Sequence, residues 1–158
     1  MTSAGERTLP LQPAFLAYLP STDSNVTGDN TTYLLGGTTA LTEVYDNGSD
    51  FTTAGVFTAP VTGRYLFSCN FSQSGLTASH TNQIMYGNPN NRQLTMSVCD
   101  PGNMADANTA LSTPASAFVD MDAADTIAMR LRVDNGSKVV DIVGSANMDT
   151  YFAGMLMC

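Results

Sequence analysis

An all-β sandwich or jelly roll is the fold this sequence predicts, and three observations carry the prediction. Eight to ten segments of four to eight residues run apolar or alternate with period two, separated by clusters of Gly, Pro, Asn and Asp. No window carries convincing helical periodicity, and no 20–50-residue repeat suggests a propeller or solenoid. Charged residues make up 13% of the chain, about half the usual ~25%. Thr, Ser, Asn and Gly must therefore cover the surface, which suits sheet and loop better than helices laced with Glu–Lys pairs. With 158 residues, 43% of them hydrophobic, the chain is long enough for one domain with a core.

Taken in order, residues 1–13 form an extended arm, because Pro10 and Pro13 forbid a helix there. A single domain then occupies residues 14–158. It opens on the strand Ala-Phe-Leu-Ala-Tyr-Leu-Pro, followed by the polar loop Ser-Thr-Asp-Ser-Asn-Val-Thr-Gly-Asp-Asn-Thr-Thr. Residues 33–46 read as extended chain interrupted by Gly36–Gly37. Asp46 to Gly55 is turn chemistry, Val56 to Pro60 a short strand stopped by its proline, and Val61 to Gly63 a tight turn. From Arg64 the chain alternates, with Tyr65, Phe67, Cys69 and Phe71 on one face and Arg64, Leu66, Ser68 and Asn70 on the other. Later strands are expected at residues 82–87, 92–98, 117–121, 126–133, 138–144 and 151–158; Ile127, Met129, Leu131 and Val133 share one face of theirs. The segment Asn103 to Leu111 is the one candidate for a short helix, weakened by Asn, Asp and Thr.

This order of elements resembles the globular head of complement one-q, whose fold is shared with the tumour necrosis factor family. The resemblance covers roughly Pro13 to Cys158. It rests most strongly on Gly55, Phe57, Pro60, Gly63, Tyr65 and Phe67, and independently on Phe152, Gly154 and Leu156. The resemblance implies a ten-stranded jelly roll of the tumour necrosis factor-like type that associates as a three-fold homotrimer. Tyr18, Tyr65, Met129, Leu131, Tyr151, Met155 and Met157 are the candidates for the apolar face around that axis.

Charge and motif content exclude most chemistry. Fourteen acids against six scattered bases give a net charge of −8, which disfavours a nucleic-acid partner, since phosphate binding is driven by Lys and Arg. No apolar run is long enough to span a membrane. His80 is the only histidine and lies in a polar loop without the setting of a catalytic triad. Cys69, Cys99 and Cys158 have no metal-ligand spacing, and an odd number implies no disulfide framework. The acids Asp46 and Asp50, and Asp120, Asp122 and Asp125, sit in turns, where they make Asx-turns; no metal, cofactor or enzymatic activity is expected. Five Asn-x-Ser/Thr motifs begin at Asn25, Asn30, Asn47, Asn70 and Asn135, and read as a by-product of Asn/Thr-rich loops.

Function is then expected to reside in surfaces. The chain shows no collagen-like repeat, no heptads and no signal-like N-terminus. By analogy with bare heads of this family, these features lead to the expectation of a virion protein. It would be a trimeric capsid decoration (cement) protein on a bacteriophage-type icosahedral shell, with the major capsid protein as its partner. The arm residues Thr8, Leu9, Pro10, Leu11 and Gln12 would add a strand to that partner's sheet edge. The alternative expectation is the receptor-binding tip of a phage tail fibre.

Overall fold

In the computed structural model, which describes residues 11–106 and 108–157, thirteen strands follow one another. They are β1 (Ala14–Tyr18), β2 (Asp23–Thr27), β3 (Thr32–Leu34), β4 (Thr42–Asn47), β5 (Phe51–Thr52), β6 (Val56–Thr58), β7 (Gly63–Ser74), β8 (Asn82–Gly87), β9 (Leu94–Cys99), β10 (Leu111–Met121), β11 (Thr126–Asp134), β12 (Val140–Ile142) and β13 (Tyr151–Leu156). They pair antiparallel into two sheets. The larger runs β2-β12-β7-β13-β1-β4 with β10 on the free side of β7, and the smaller runs β5-β6-β11-β8-β9 with β3 also on β11. This is the jelly roll expected, drawn in thirteen segments because short strands such as β5 and β3 dock on the longer ones.

Period-two alternation in β7 produces the interior. Tyr65, Phe67, Cys69, Phe71 and Gln73 point between the sheets, as do Ile127, Met129, Leu131 and Val133 of β11. At one end the filling is aromatic. The Phe15 ring centroid lies 4.3 Å from that of Phe51, 5.1 Å from Phe57 and 4.9 Å from Phe152. Such pairs are worth about 0.5–1.5 kcal/mol each beyond area burial. Gly154 makes room for this stack, since a Cβ there would meet Phe15 and Phe67 ring carbons at 2.6 Å. Toward the other end the interior turns polar: Gln73 and Gln83, both fully buried, donate through their side-chain amides to Thr113 Oγ1 at 3.3 and 3.0 Å.

Several local expectations are corrected. The stretch 21–32 contains β2, whose buried positions are Asp23 and Thr27. The Asp23 carboxylate accepts from Tyr33 Oη at 2.6 Å and Thr39 Oγ1 at 2.5 Å, so a polar side chain is satisfied where an apolar one was sought. The strand expected at residues 117–121 starts at Leu111 and runs through Pro114, which the sheet tolerates because β10 has β7 as its only paired neighbour. Of the helix candidate Asn103 to Leu111, only Asn103 and Met104 are helical among the described residues, as the end of the single turn α1 (Pro101–Met104) capped by Asp100, and Leu111 opens β10. The left-handed glycine near β6 is Gly55 (φ +81°), whose N–H donates to Thr52 O at 2.8 Å; Gly63 is the first strand residue of β7.

Of the expected arm, residues 1–10 lie outside the described residues. Leu11 is exposed, the Gln12 side-chain amide donates to Leu156 O, and Pro13 is buried with its carbonyl accepting from Leu156 N at 2.9 Å.

Candidate functional site

The larger sheet turns one face inward and leaves the other to solvent, and strand register lines up that outer face in rows. One row reads Asn47, Ala14, Met155, Leu66, Phe118 across β4, β1, β13, β7 and β10. The next reads Tyr45, Leu16, Ala153, Ser68, Ser116, and a third Thr42, Tyr18, Tyr151, Asn70, Pro114. The small side chains of Ala14, Ala153 and Ser68, set among the larger Tyr45, Leu66 and Met155, leave a shallow apolar depression of about 130 Å³. Phe118 is 69% exposed, Tyr45 46% and Met155 42%. None of the side chains in these three rows is charged, and Phe118, Tyr45 and Met155 add exposed apolar surface, the kind of sheet face through which proteins associate.

Four of the seven residues expected at a trimer contact lie at this face: Tyr18 and Tyr151 as a cross-strand pair, and Met155 with Met157 beyond the end of β13. The other three are corrected. Tyr65, Met129 and Leu131 have no exposed surface, because their strands turn those positions into the sandwich. Tyr65 is tied further by its hydroxyl, which donates to Val61 O at 2.7 Å. Alternation separates two faces of a strand without saying which is the core, so the Leu66 face and Phe118 went unread. The only signal was Leu66 itself, the one large apolar residue on the otherwise polar outer face of β7. Among the expected arm residues, Thr8, Leu9 and Pro10 lie outside the described residues. Leu11 is 93% exposed, and Gln12 is anchored to the last strand.

His80 and the turn carboxylates Asp46 and Asp125 are engaged in structure. His80 is fully buried; its Nδ1 accepts from Thr77 N at 2.8 Å, so its Nε2 carries the hydrogen and donates to Ser137 O at 3.0 Å. Asp46 accepts from Asp50 N and Phe51 N at 3.2 and 3.1 Å, and Asp125 accepts from Asp122 N at 3.1 Å, both shaping turns. Burial, then the charge of Asp46, raises the Asp50 carboxyl above the ordinary value. Burial pushes the Cys69 thiol far up, the opposite of an activated nucleophile. Among the described residues, no group of three or more His, Cys, Asp or Glu is placed to hold a metal ion, no helix is long and apolar enough to cross a membrane, and the one ion pair joins Arg132 to Asp134 at 2.8 Å.

Comparison with known proteins places this geometry. No family model matches the chain, and no curated protein matches it. Among solved structures, Eiger TNF from S. frugiperda is similar with a TM-score of 0.62 at 13% identity, over 93% of each chain. Murine APRIL is similar with a TM-score of 0.61 at 13% identity, over 92% of this chain and 99% of that one. The globular domain of zebrafish complement 1qA protein is similar with a TM-score of 0.53 at 19% identity, over 92% and 98%. At these identities the likeness establishes the fold, a jelly roll of the tumour necrosis factor and complement one-q type. None of the three carries information on a phage source.

Proposed function

We propose that the chain is a non-enzymatic β-sandwich protein that acts as a homotrimer, with the outer face of the larger sheet as its subunit contact. The single observation that supports this most is the uncharged three-row face from β4 to β10, with the apolar side chains of Phe118 and Met155 standing out of it. The three-fold association that the family resemblance implies supplies the stoichiometry. Sedimentation tests it: the particle should have three times the 16.7 kDa mass of the chain, and Phe118→Asp should shift it to a folded monomer. Phe118 is exposed in the single subunit, so its replacement leaves the core untouched. A wild-type monomer at micromolar concentration overturns the reading.

The narrower form of the proposal is that the trimer decorates an icosahedral phage shell by contacting its major capsid protein, which places it on the virion surface. What supports this is the apolar-proline segment Leu-Pro-Leu-Gln-Pro, whose Leu11 stands in solvent at the root of the domain. Three arms on one trimer would gain by effective concentration what each lacks in affinity. Removing Met1 to Pro10, which spares the Gln12 and Pro13 contacts to β13, should leave the trimer intact and abolish co-sedimentation with shells. Retained shell binding removes the arm's role. Binding of the head to host cells in place of shells replaces decoration by the fibre-tip reading.

A further inference from the structure

The tetrapeptide Asp-Asn-Gly-Ser occurs twice, at residues 46–49 and 134–137, and these are the only Asn-Gly pairs in the chain. An Asn followed by Gly is chemically labile because no side chain on the following residue hinders attack by its backbone nitrogen. Identical flanking residues give the two sites nearly the same intrinsic reactivity, and both asparagines are exposed. Any difference in the folded protein then comes from hydrogen bonding and freedom of the Asn-Gly peptide.

Those surroundings differ sharply. At the second site the would-be nucleophile, Gly136 N, donates to Gly28 O at 2.9 Å. Asn135 Nδ2 donates to Thr81 Oγ1 at 2.9 Å, and Asn135 N donates to Asn30 Oδ1 at 3.3 Å. Gly136 is also walled in, since a Cβ there would meet the His80 ring at 2.3 Å. At the first site Asn47 is the last residue of β4, and Gly48 follows with φ +104° and is exposed, as is Ser49. Among the described residues no group accepts from Gly48 N, and none holds the Asn47 side chain.

We infer that Asn47 is a site of spontaneous deamidation in the folded protein, and that Asn135, in the same tetrapeptide, is protected from it. Gly48 N, losing its proton to solvent base, bonds to Asn47 Cγ. The Cγ–Nδ2 bond breaks, and Nδ2 takes up a proton and leaves as ammonia. Water then opens the resulting five-membered imide at either carbonyl, leaving Asp or isoaspartate. Either product adds a carboxylate beside Asp46 and Asp50, at the end of the row that continues through Ala14 and Met155. Isoaspartate also lengthens the main chain by one atom where β4 pairs with β1. Asn47 stands at the edge-strand end of the row proposed as the subunit contact, and that end is taken as a rim left open to solvent.

The test ages the full-length protein in mildly alkaline buffer, with a parallel sample unfolded in denaturant. Peptide mapping and enzymatic isoaspartate labelling then follow both sites. The ratio of the two rates in the folded sample, divided by the ratio in the unfolded one, isolates the effect of structure. Opening the hydrogen bonds at Gly136 and Asn135 before reaction should make that normalised ratio favour Asn47 by roughly tenfold or more. A normalised ratio near one, preference for Asn135, or no product at Asn47 overturns the inference.

Discussion

At the scale of the residue, the buried pair of Tyr33 and Asp23 shows how polar side chains hold two sheets together. Asp23 belongs to β2 in the larger sheet and Tyr33 to β3 in the smaller, and their 2.6 Å hydrogen bond crosses between them. Desolvation, reinforced by the hydrogen bond to Asp23 and its charge, holds the phenol protonated far above its usual range. A folded-state pKa above the unfolded one means that the native state keeps its proton longer. Stability is thus undiminished below the unfolded value and is lost as pH rises past it. Fully buried Cys69 has the same sign, so the loss should begin near pH ~8.5 for the thiol and steepen near pH ~10 for the phenol. Urea unfolding across alkaline pH should show both segments in the wild type. Tyr33→Phe should make the upper segment shallower, leaving the part due to Tyr65, which burial also raises, and leave the lower one. An unchanged upper segment would detach the Tyr33 phenol from the alkaline limb.

Elements were legible in proportion to how far their hydrophobic pattern agreed with their surroundings. β7 and β11 alternate cleanly, β13 is apolar along its length, and all three are central, so the sequence shows them plainly. β2 escaped because its inward positions are Asp23 and Thr27, and hydropathy cannot see that Tyr33, Thr39 and the Thr31 carbonyl will satisfy them. The first half of β10 escaped because Pro114 looks like a breaker unless the strand is known to be an edge. The candidate surface was half legible: Tyr18, Tyr151, Met155 and Met157 were named, while Leu66 and Phe118 required knowing which face of β7 is covered. β13 also offers a direct check on packing. Gly154 is its narrowest point between Phe15 and Phe67, so Gly154→Ala overfills the aromatic end and should cost about 1–3 kcal/mol in urea or thermal unfolding. A neutral result would mean that the two rings part easily, contrary to their complete burial.

On the scale of the whole molecule, one end of the sandwich is filled by stacked aromatics and the other by amides, hydroxyls and a buried imidazole. The chain's first described strand lies between β13 and the edge strand β4 of the larger sheet, in register Ala14 to Met155 through Tyr18 to Tyr151. Native pairing of β1 with β13 thus joins residues far apart in sequence, Ala14 with Met155, and such non-local contacts slow folding. During synthesis β1 leaves the ribosome long before its partner exists. The nascent chain carries one edge of that strand, and the aromatic side chains behind it, unprotected until translation has passed Leu156.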